Sequence, residues 1–188
     1  MRVLVVNAGS SSLKVDVVDG GAVLASYDGL PEDPPTVAAV GHRVVHGGPD
    51  LVAPVLIDGD VERRLRDLVE LAPLHQPKSL AGLDAARRLL PDVPHVACFD
   101  TAFHATLPAS AFTFALPRQW RDRWGVRRYG FHGLSHAWAA RRAQQLVPAA
   151  RRVVTCHLGA GASLAAVLDG RSVDTTMGFT PLDGLVMA

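Results

Sequence analysis

Two stretches near opposite ends of this chain are written the same way, and that repetition constrains the fold more than any other feature. Arg2–Val6 is a continuous apolar run, the mark of a strand buried on both faces. It breaks into Asn7-Ala8-Gly9-Ser10-Ser11-Ser12 and resumes as Leu13–Val18, which reads as a hairpin with a small, hydroxyl-rich turn. Arg152–Leu158 reads as a second buried strand, followed by Gly159-Ala160-Gly161-Ala162-Ser163, the run Leu164–Leu168, and the tight turn Asp169-Gly170 before Ser172–Met177. Glycine lets the backbone approach a ligand, and successive N–H groups in such a turn make an anion-binding nest. Lys14 adds a cation just past the first turn. Neither turn is a Walker loop, because that spacing is absent. A solvated hairpin turn has a similar composition, but the apolar strand before the first turn and the lysine after it favour a phosphate cradle.

Between the hairpins the pattern alternates strand and helix, the signature of an α/β fold. Asp19-Gly20-Gly21 turns the chain into a third strand, Ala22–Tyr27, and the proline-rich stretch Leu30–Thr36 is a loop. The apolar run Val37–Val45 leads into His42-Arg43-Val44-Val45-His46-Gly47-Gly48. An arginine flanked by histidines at a strand end can grip a carboxylate or phosphate bidentately. Helical spacing covers Asp60–Leu71, Leu74–Pro77 reads as a loop, and Ser79 is placed to cap a helix over Leu80–Leu90. The strand His95–Phe99 ends in Asp100-Thr101-Ala102-Phe103-His104, and the carboxyl end of a buried strand is where ligand sites gather in such folds.

The stretch Arg127–His136, RRYGFHGLSH, places His132 between glycines just ahead of an alanine-rich run that reads as a helix from about Gly133 to Val147. A helix N-terminus favours anions, and its field disfavours a charged imidazole there. A capped turn would carry the same residues. Pro117–Arg128 holds five arginines and two tryptophans, a pattern that nucleic-acid binding can share, but it reads more simply as a solvated connection.

The formal charge of +1 offers no footprint for nucleic acid or a membrane surface, and no apolar run is long enough to span a bilayer. Cys98 and Cys156 lie in apolar runs and read as reduced, buried thiols; with no visible leader, a cytoplasmic location is expected. The eight histidines lack the spacing of a metal hydrolase.

Taken together, VLVVNAGSSSLK, HRVVHGG, APLHQP, FDTAFH, RRYGFHGLSH and VVTCHLGAGASLAAVLDGRSVDTTMGFTPLDGL occur in the order and form of acetate kinases, which the chain resembles over most of its length after Val37. The resemblance implies a ribonuclease-H-like, actin-like ATPase fold: an N-terminal domain over residues 1–150 and the opening strands of a second, nucleotide-binding domain over 151–188. It implies phosphoryl exchange between ATP and acetate, giving acetyl phosphate and ADP, with Mg²⁺. Residue by residue, it makes Asn7 a magnesium ligand and assigns Ser10, Ser12 and Lys14 to nucleotide phosphate. Arg43 would bind substrate, with Val45, Leu74, Phe131 and Pro181 around its methyl group. Asp100 falls on the active-site acid and His132 on the transition-state stabiliser. His157, Leu158, Gly159, Ala160 and Gly161 form the second phosphate loop.

The chain departs from the family pattern in four places. The segment between Lys14 and His42 is short, Gln76 stands where asparagine is common, and Ala160 replaces the asparagine of a Gly-Asn-Gly turn. The fourth is the end of the chain, which falls before the family's second active-site arginine, the remaining adenosine motifs and a magnesium-binding glutamate. The resemblance therefore leads us to expect a truncated acetate kinase of little turnover, in a family whose full-length members are homodimers. Propionate kinase shares these motifs and is the alternative within the enzyme class; a non-catalytic remnant is the alternative outside it.

Overall fold

The computed structural model describes residues 1–9 and 12–186. The chain divides into two compact units, one of Met1–Gly47 with Ala53–Phe99 and the other of Gly48–Val52 with Asp100–Ala188.

Among the described residues the first unit is built on a sheet of six strands in the order β3-β2-β1-β4-β6-β5. β1 (Arg2–Ala8), β2 (Leu13–Asp19) and β3 (Ala22–Asp28) form an antiparallel meander. β4 (Ala39–Val44) joins β1 in parallel, β6 (His95–Phe99) joins β4 in parallel, and the short β5 (Val55–Leu56) runs antiparallel to β6. An antiparallel meander continued by parallel strands is the ribonuclease-H-like arrangement, so the α/β, actin-like fold class holds. Leu4, Val6, Val15, Val17 and Val40 pack beneath Ala86 of α2 (Gln76–Leu89), with Val37 beside them. The alternate residues Val3 and Val5 are half-buried, so β1 has one buried face rather than the expected two.

Asp58 caps α1 (Gly59–Asp67) by accepting from the Val61 amide at 2.8 Å, and a 3-10 turn over Leu68–Leu71 finishes the stretch read as one helix. α2 starts four residues before the expected Leu80. His75 is its N-cap and Pro77 sits in the first turn, where its missing N–H is harmless. Ser79 is therefore a buried residue of the second turn, not a cap.

The second unit holds short helices α3 (Ala109–Phe112) and α4 (Arg118–Trp124), the longer α5 (Gly133–Leu146), and an antiparallel sheet of β7 (Arg152–Leu158), β8 (Ala162–Leu168) and β9 (Arg171–Thr175). β7 departs from expectation: it is mostly open, with Thr155 its only buried residue, and Cys156 is exposed. Cys98 is half-buried, and burial raises its thiol pKa. The arginine-rich connection is not simply solvated. The Arg128 guanidinium donates to the carbonyls of Ala111, Thr175, Thr176 and Met177 at 2.9–3.3 Å, clamping the α3 segment to the end of β9. Arg127 lies 3.9 Å over the Phe112 ring. No helix among the described residues is long and apolar enough to cross a membrane.

Candidate functional site

The candidate residues fall into two sets, one in each unit. In the first unit, strand alternation sends the side chains of Val40, His42 and Val44 into the core and that of Arg43 to the opposite face. Arg43 is paired in register with Asn7, and its Nη1 donates to Asn7 Oδ1 at 3.3 Å. The two histidines flanking Arg43 do not extend an anion grip. His42 Nε2 lies 2.8 Å from His95 Nδ1, with the rings stacked 5.1 Å apart, and burial together with the neighbouring His95 drives its pKa down to about 3. His46 is fully buried, with its pKa lowered to about 4 by burial.

Gln76 occupies the position where the family often carries asparagine. Its side chain accepts from the His46 amide and donates to the His46 and Leu65 carbonyls at 3.2–3.3 Å, a buried bracket that ties α2 to the end of β4 and to α1. Val45 lies one residue past the end of β4 and is buried, whereas Leu74 is exposed at 70%. The turn between β1 and β2 is closed by the Gly9 amide donating to the Ser12 carbonyl at 2.9 Å. A cavity of about 350 Å³ opens beside it, lined among others by Gly9, Ser12, Lys78 and Gly82. Lys14 is exposed on β2, and Ser10 lies outside the described residues.

The second unit explains RRYGFHGLSH glycine by glycine. Gly130 has φ +72, and a Cβ there would meet the His104 ring and Thr175 Cγ2 at 2.7 Å. Gly133 donates its amide to the Asp100 carbonyl at 2.8 Å, and a Cβ would stand 2.2 Å from that oxygen. Between them His132 takes φ 57, a left-handed conformation uncommon outside glycine, and serves as N-cap of α5. The expected helix start is therefore correct, and its first backbone bond is His136 N to His132 O at 2.9 Å. Asp100, buried at the end of β6, meets the site through that main-chain bond to Gly133.

Four histidines gather around this turn. The His132 ring stacks on His157 at 3.9 Å, and its Cε1–Nε2 edge lies against Gly161, where a Cβ would approach to 3.2–3.3 Å. His132 Nδ1 is 2.8 Å from Ser163 Oγ, which is also 2.8 Å from His136 Nε2. His136 Nδ1 is 2.7 Å from Thr155 Oγ1. His157 Nδ1 meets Ser135 Oγ at 2.9 Å, so that serine ties the helix start to β7 and does not cap the helix. His104 accepts from Ser172 at 2.8 Å and donates through Nε2 to the Phe131 carbonyl at 3.0 Å. Burial lowers the pKa of both His104 and His136 to about 4. The glycine turn after β7 bends back on itself through the Gly159 amide and the Gly161 carbonyl at 3.0 Å. Leu158, Gly159 and Ala160 are exposed around it, Phe131 is fully buried, and Pro181 is half-buried.

The structure thus joins Asn7 to Arg43, and His132 to His157 and Gly161. Sequence reading missed His136, Ser163 and Thr155. The four-residue spacing of His132 and His136 on one helix was the available signal for the first. No group of three histidine, cysteine or carboxylate side chains that could hold a metal occurs among the described residues. Asn7 Oδ1 is a hard oxygen donor of the kind magnesium takes, and it accepts from Arg43.

Comparison with known proteins gives a consistent answer. Residues 22–188 match the model of the acetokinase family. The acetate kinase of Acetivibrio thermocellus is 52% identical over 154 residues, covering 80% of this chain and 39% of that protein. The acetate kinase of Methanosarcina acetivorans is 40% identical over an alignment of 238 positions, covering all of this chain and 58% of that protein. Among solved structures, a propionate kinase from Francisella tularensis has a TM-score of 0.89 at 33% identity, covering 99% of this chain and 59% of that one. Porphyromonas gingivalis acetate kinase follows at 0.85 and 34%, with the same coverage. The chain spans roughly two-fifths to three-fifths of the length of these relatives.

Proposed function

The chain belongs to the acetokinase family, and from that premise we propose that its residues serve reversible phosphoryl transfer between ATP and acetate, giving acetyl phosphate and ADP. The observation that carries the reading is His132: a strained backbone at the head of α5, Nδ1 held by a serine, and the opposite ring edge set against a glycine turn. Strain of this kind persists only where the surrounding structure holds the conformation in place, and it clusters at active sites and ligand clamps.

A carboxylic acid of pKa about 4–5 is already ionised at neutral pH, so its attack on the γ-phosphorus calls for no general base. A bond forms from the acetate oxygen to phosphorus as the bond to the ADP oxygen breaks, with no covalent intermediate on His132. The remaining demand is positioning and donors for the equatorial oxygens. In this proposal Arg43 grips the carboxylate or the acyl phosphate, and His132 donates to the transferring group. Ser10, Ser12, Lys14 and the His157–Gly161 turn take nucleotide phosphates. Val45, Leu74, Phe131 and Pro181 surround the methyl group, and Asp100 orients its neighbours. Magnesium, when bound, neutralises phosphate charge. Asn7 would be one of its ligands, through the same oxygen that accepts from Arg43. The proposal extends to a domain boundary near residue 150, a cytoplasmic location and, in the full-length family architecture, a homodimer.

The propionate kinase neighbour supports a second reading, in which the pocket takes the longer acid. Hydroxamate formation by the purified chain with ATP, Mg²⁺ and acetate or propionate tests both, alongside chemical-shift titration with ATP and acetyl phosphate. Turnover favouring acetate supports the first reading, and turnover favouring propionate the second. Binding without turnover indicates a non-catalytic remnant, and neither binding nor turnover overturns the proposal.

A further inference from the structure

We propose that Thr155, His136 and Ser163 are positioning residues that fix the neutral His132 ring as the Nε2–H tautomer, so that its donor nitrogen lies on the edge beside Gly161. This rests on the reading of His132 as the donor to the transferring phosphoryl group. The chain of contacts is continuous, and buried as far as Ser163: Thr155 Oγ1 to His136 Nδ1 at 2.7 Å, His136 Nε2 to Ser163 Oγ at 2.8 Å, and Ser163 Oγ to the half-buried His132 Nδ1 at 2.8 Å. Three elements contribute, since Thr155 is on β7, His136 is one turn into α5 and Ser163 is on β8.

Each hydroxyl has a single proton, and each neutral imidazole has one N–H and one lone pair, so the direction of one bond sets all the others. The Thr155 contact supplies that direction. In the opposite direction His136 Nδ1 would donate to Thr155 Oγ1, and the Thr155 proton would need another acceptor. The competing acceptor for the Thr155 proton, the Ala165 carbonyl, lies at 3.5 Å, at the limit of a hydrogen bond. Thr155 therefore donates to His136 Nδ1. Burial keeps His136 neutral, which leaves its proton on Nε2 to be donated to Ser163. Ser163 in turn donates to His132 Nδ1, and the His132 proton resides on Nε2. The arrangement supplies a donor without charging the ring. The His157 ring covers one face of His132 at 3.9 Å, which leaves the Nε2 edge as the part of the ring turned to Gly161. Reversing every bond would leave His132 as the Nδ1–H tautomer, an acceptor at Nε2 and of no use to a phosphate oxygen.

The test is long-range ¹H–¹⁵N correlation of the histidine-labelled chain at pH 7.5, which reads the tautomer of each ring without relying on turnover. Nε2–H on both His132 and His136 is expected, and Nδ1–H on His132 overturns the proposal. Thr155→Val, which keeps shape but removes the hydroxyl, should shift both rings toward mixed tautomers, and Thr155→Ser should restore the wild-type pattern. Ser163→Ala should shift His132 as well. If Ser163→Ala does not fold, the wild-type spectrum and the Thr155 pair still decide. An unmoved His132 in Thr155→Val overturns the relay. In the hydroxamate assay on a chain extended to the full length of its relatives, Thr155→Val should lose roughly tenfold in kcat with KM little changed, less than the loss for removing a transition-state donor outright. A shifted tautomer with unchanged kcat supports the relay and overturns only the reading of His132 as the phosphoryl donor.

Discussion

The His42–His95 pair and the Thr155–His136–Ser163–His132 chain use the same side chain to opposite ends. In the first, His95 Nε2 donates to the Leu90 carbonyl at 3.0 Å, so its Nδ1 must accept and His42 Nε2 must donate. That leaves the lone pair of His42 Nδ1 buried with no hydrogen-bond partner among the described residues. A carbonyl accepts only, so the pair has one possible direction and ends blind in the core. In the second, hydroxyls sit between the rings, and a hydroxyl both donates and accepts. Direction becomes a property of the whole chain, which ends at a ring beside the glycine turn. Buried histidine is thus not in itself a sign of function; what lies between the rings decides.

The largest expected effect sets the two apart directly. His132→Ala, made in a chain extended to the full length of its relatives, should lower kcat by roughly 10²–10³, the size of losing one transition-state donor, with KM for acetate moving much less. His42→Leu, in the same assay, should cost less than about tenfold in kcat, because the His42 side chain faces the core while its neighbour Arg43 faces the other side of β4. Equal losses in both variants would erase the distinction.

Backbone crowding sharpens the contrast next. Gly133→Ala would drive a Cβ into the Asp100 carbonyl, and neither main chain can yield cheaply. A loss of about 3 kcal/mol is expected, at the upper end for overpacking, read as a drop in urea midpoint. A near-normal midpoint would mean that the His132 corner has more slack than its distances imply.

Acid should then act on both networks alike. The pKa of His42 is lowered to about 3 and that of His136 to about 4, against about 6.5 in an unfolded chain. Below pH 6.5 the unfolded state takes up protons that the folded state refuses. Stability is therefore full above pH 6.5 and falls with pH, by about 1.4 kcal/mol per pH unit for each such histidine, until the folded pKa is reached. Urea unfolding at pH 7, 6 and 5 should show this slope, and His42→Leu should reduce it by one histidine's share. A slope that stays level from pH 7 to 5 would contradict neutral burial in both networks.

The smallest effect lies beside His42. A Cβ on Gly41 would meet only Val3 Cγ1, at 4.0 Å, so Gly41→Ala should change stability by no more than about 1 kcal/mol, with a small gain favoured because glycine weakens a strand. A large loss there would show that the first network is as tightly enclosed as the second.

Much of this was legible in advance for definite reasons. The first hairpin announced itself through an apolar run broken by small polar residues, and β1 and β2 form where that pattern predicts. The αL histidine between two glycines was visible as a tight turn because glycine on both sides has few other uses. The start of α2 was not legible, because Pro77 in a first turn and Ser79 before an apolar run give competing signals for the same boundary. The open face of β7 was missed because an apolar run shows which residues can be buried, not whether anything covers them.

The amino-acid sequence alone determined the order of strands and helices, the family motifs and the residues on which chemistry was expected, because periodicity and glycine placement are local properties. Only the tertiary structure decided which histidines speak to which. Whether His42 turns to His95 or to Arg43 depends on the register of β4 against β6 and on the face that α2 covers. Whether His136 reaches Ser163 and Thr155 depends on where α5 lies on the β7–β8 hairpin. Hydrogen bonds of 2.7–2.8 Å between side chains 19 to 31 residues apart are set by packing, and no local spacing encodes them.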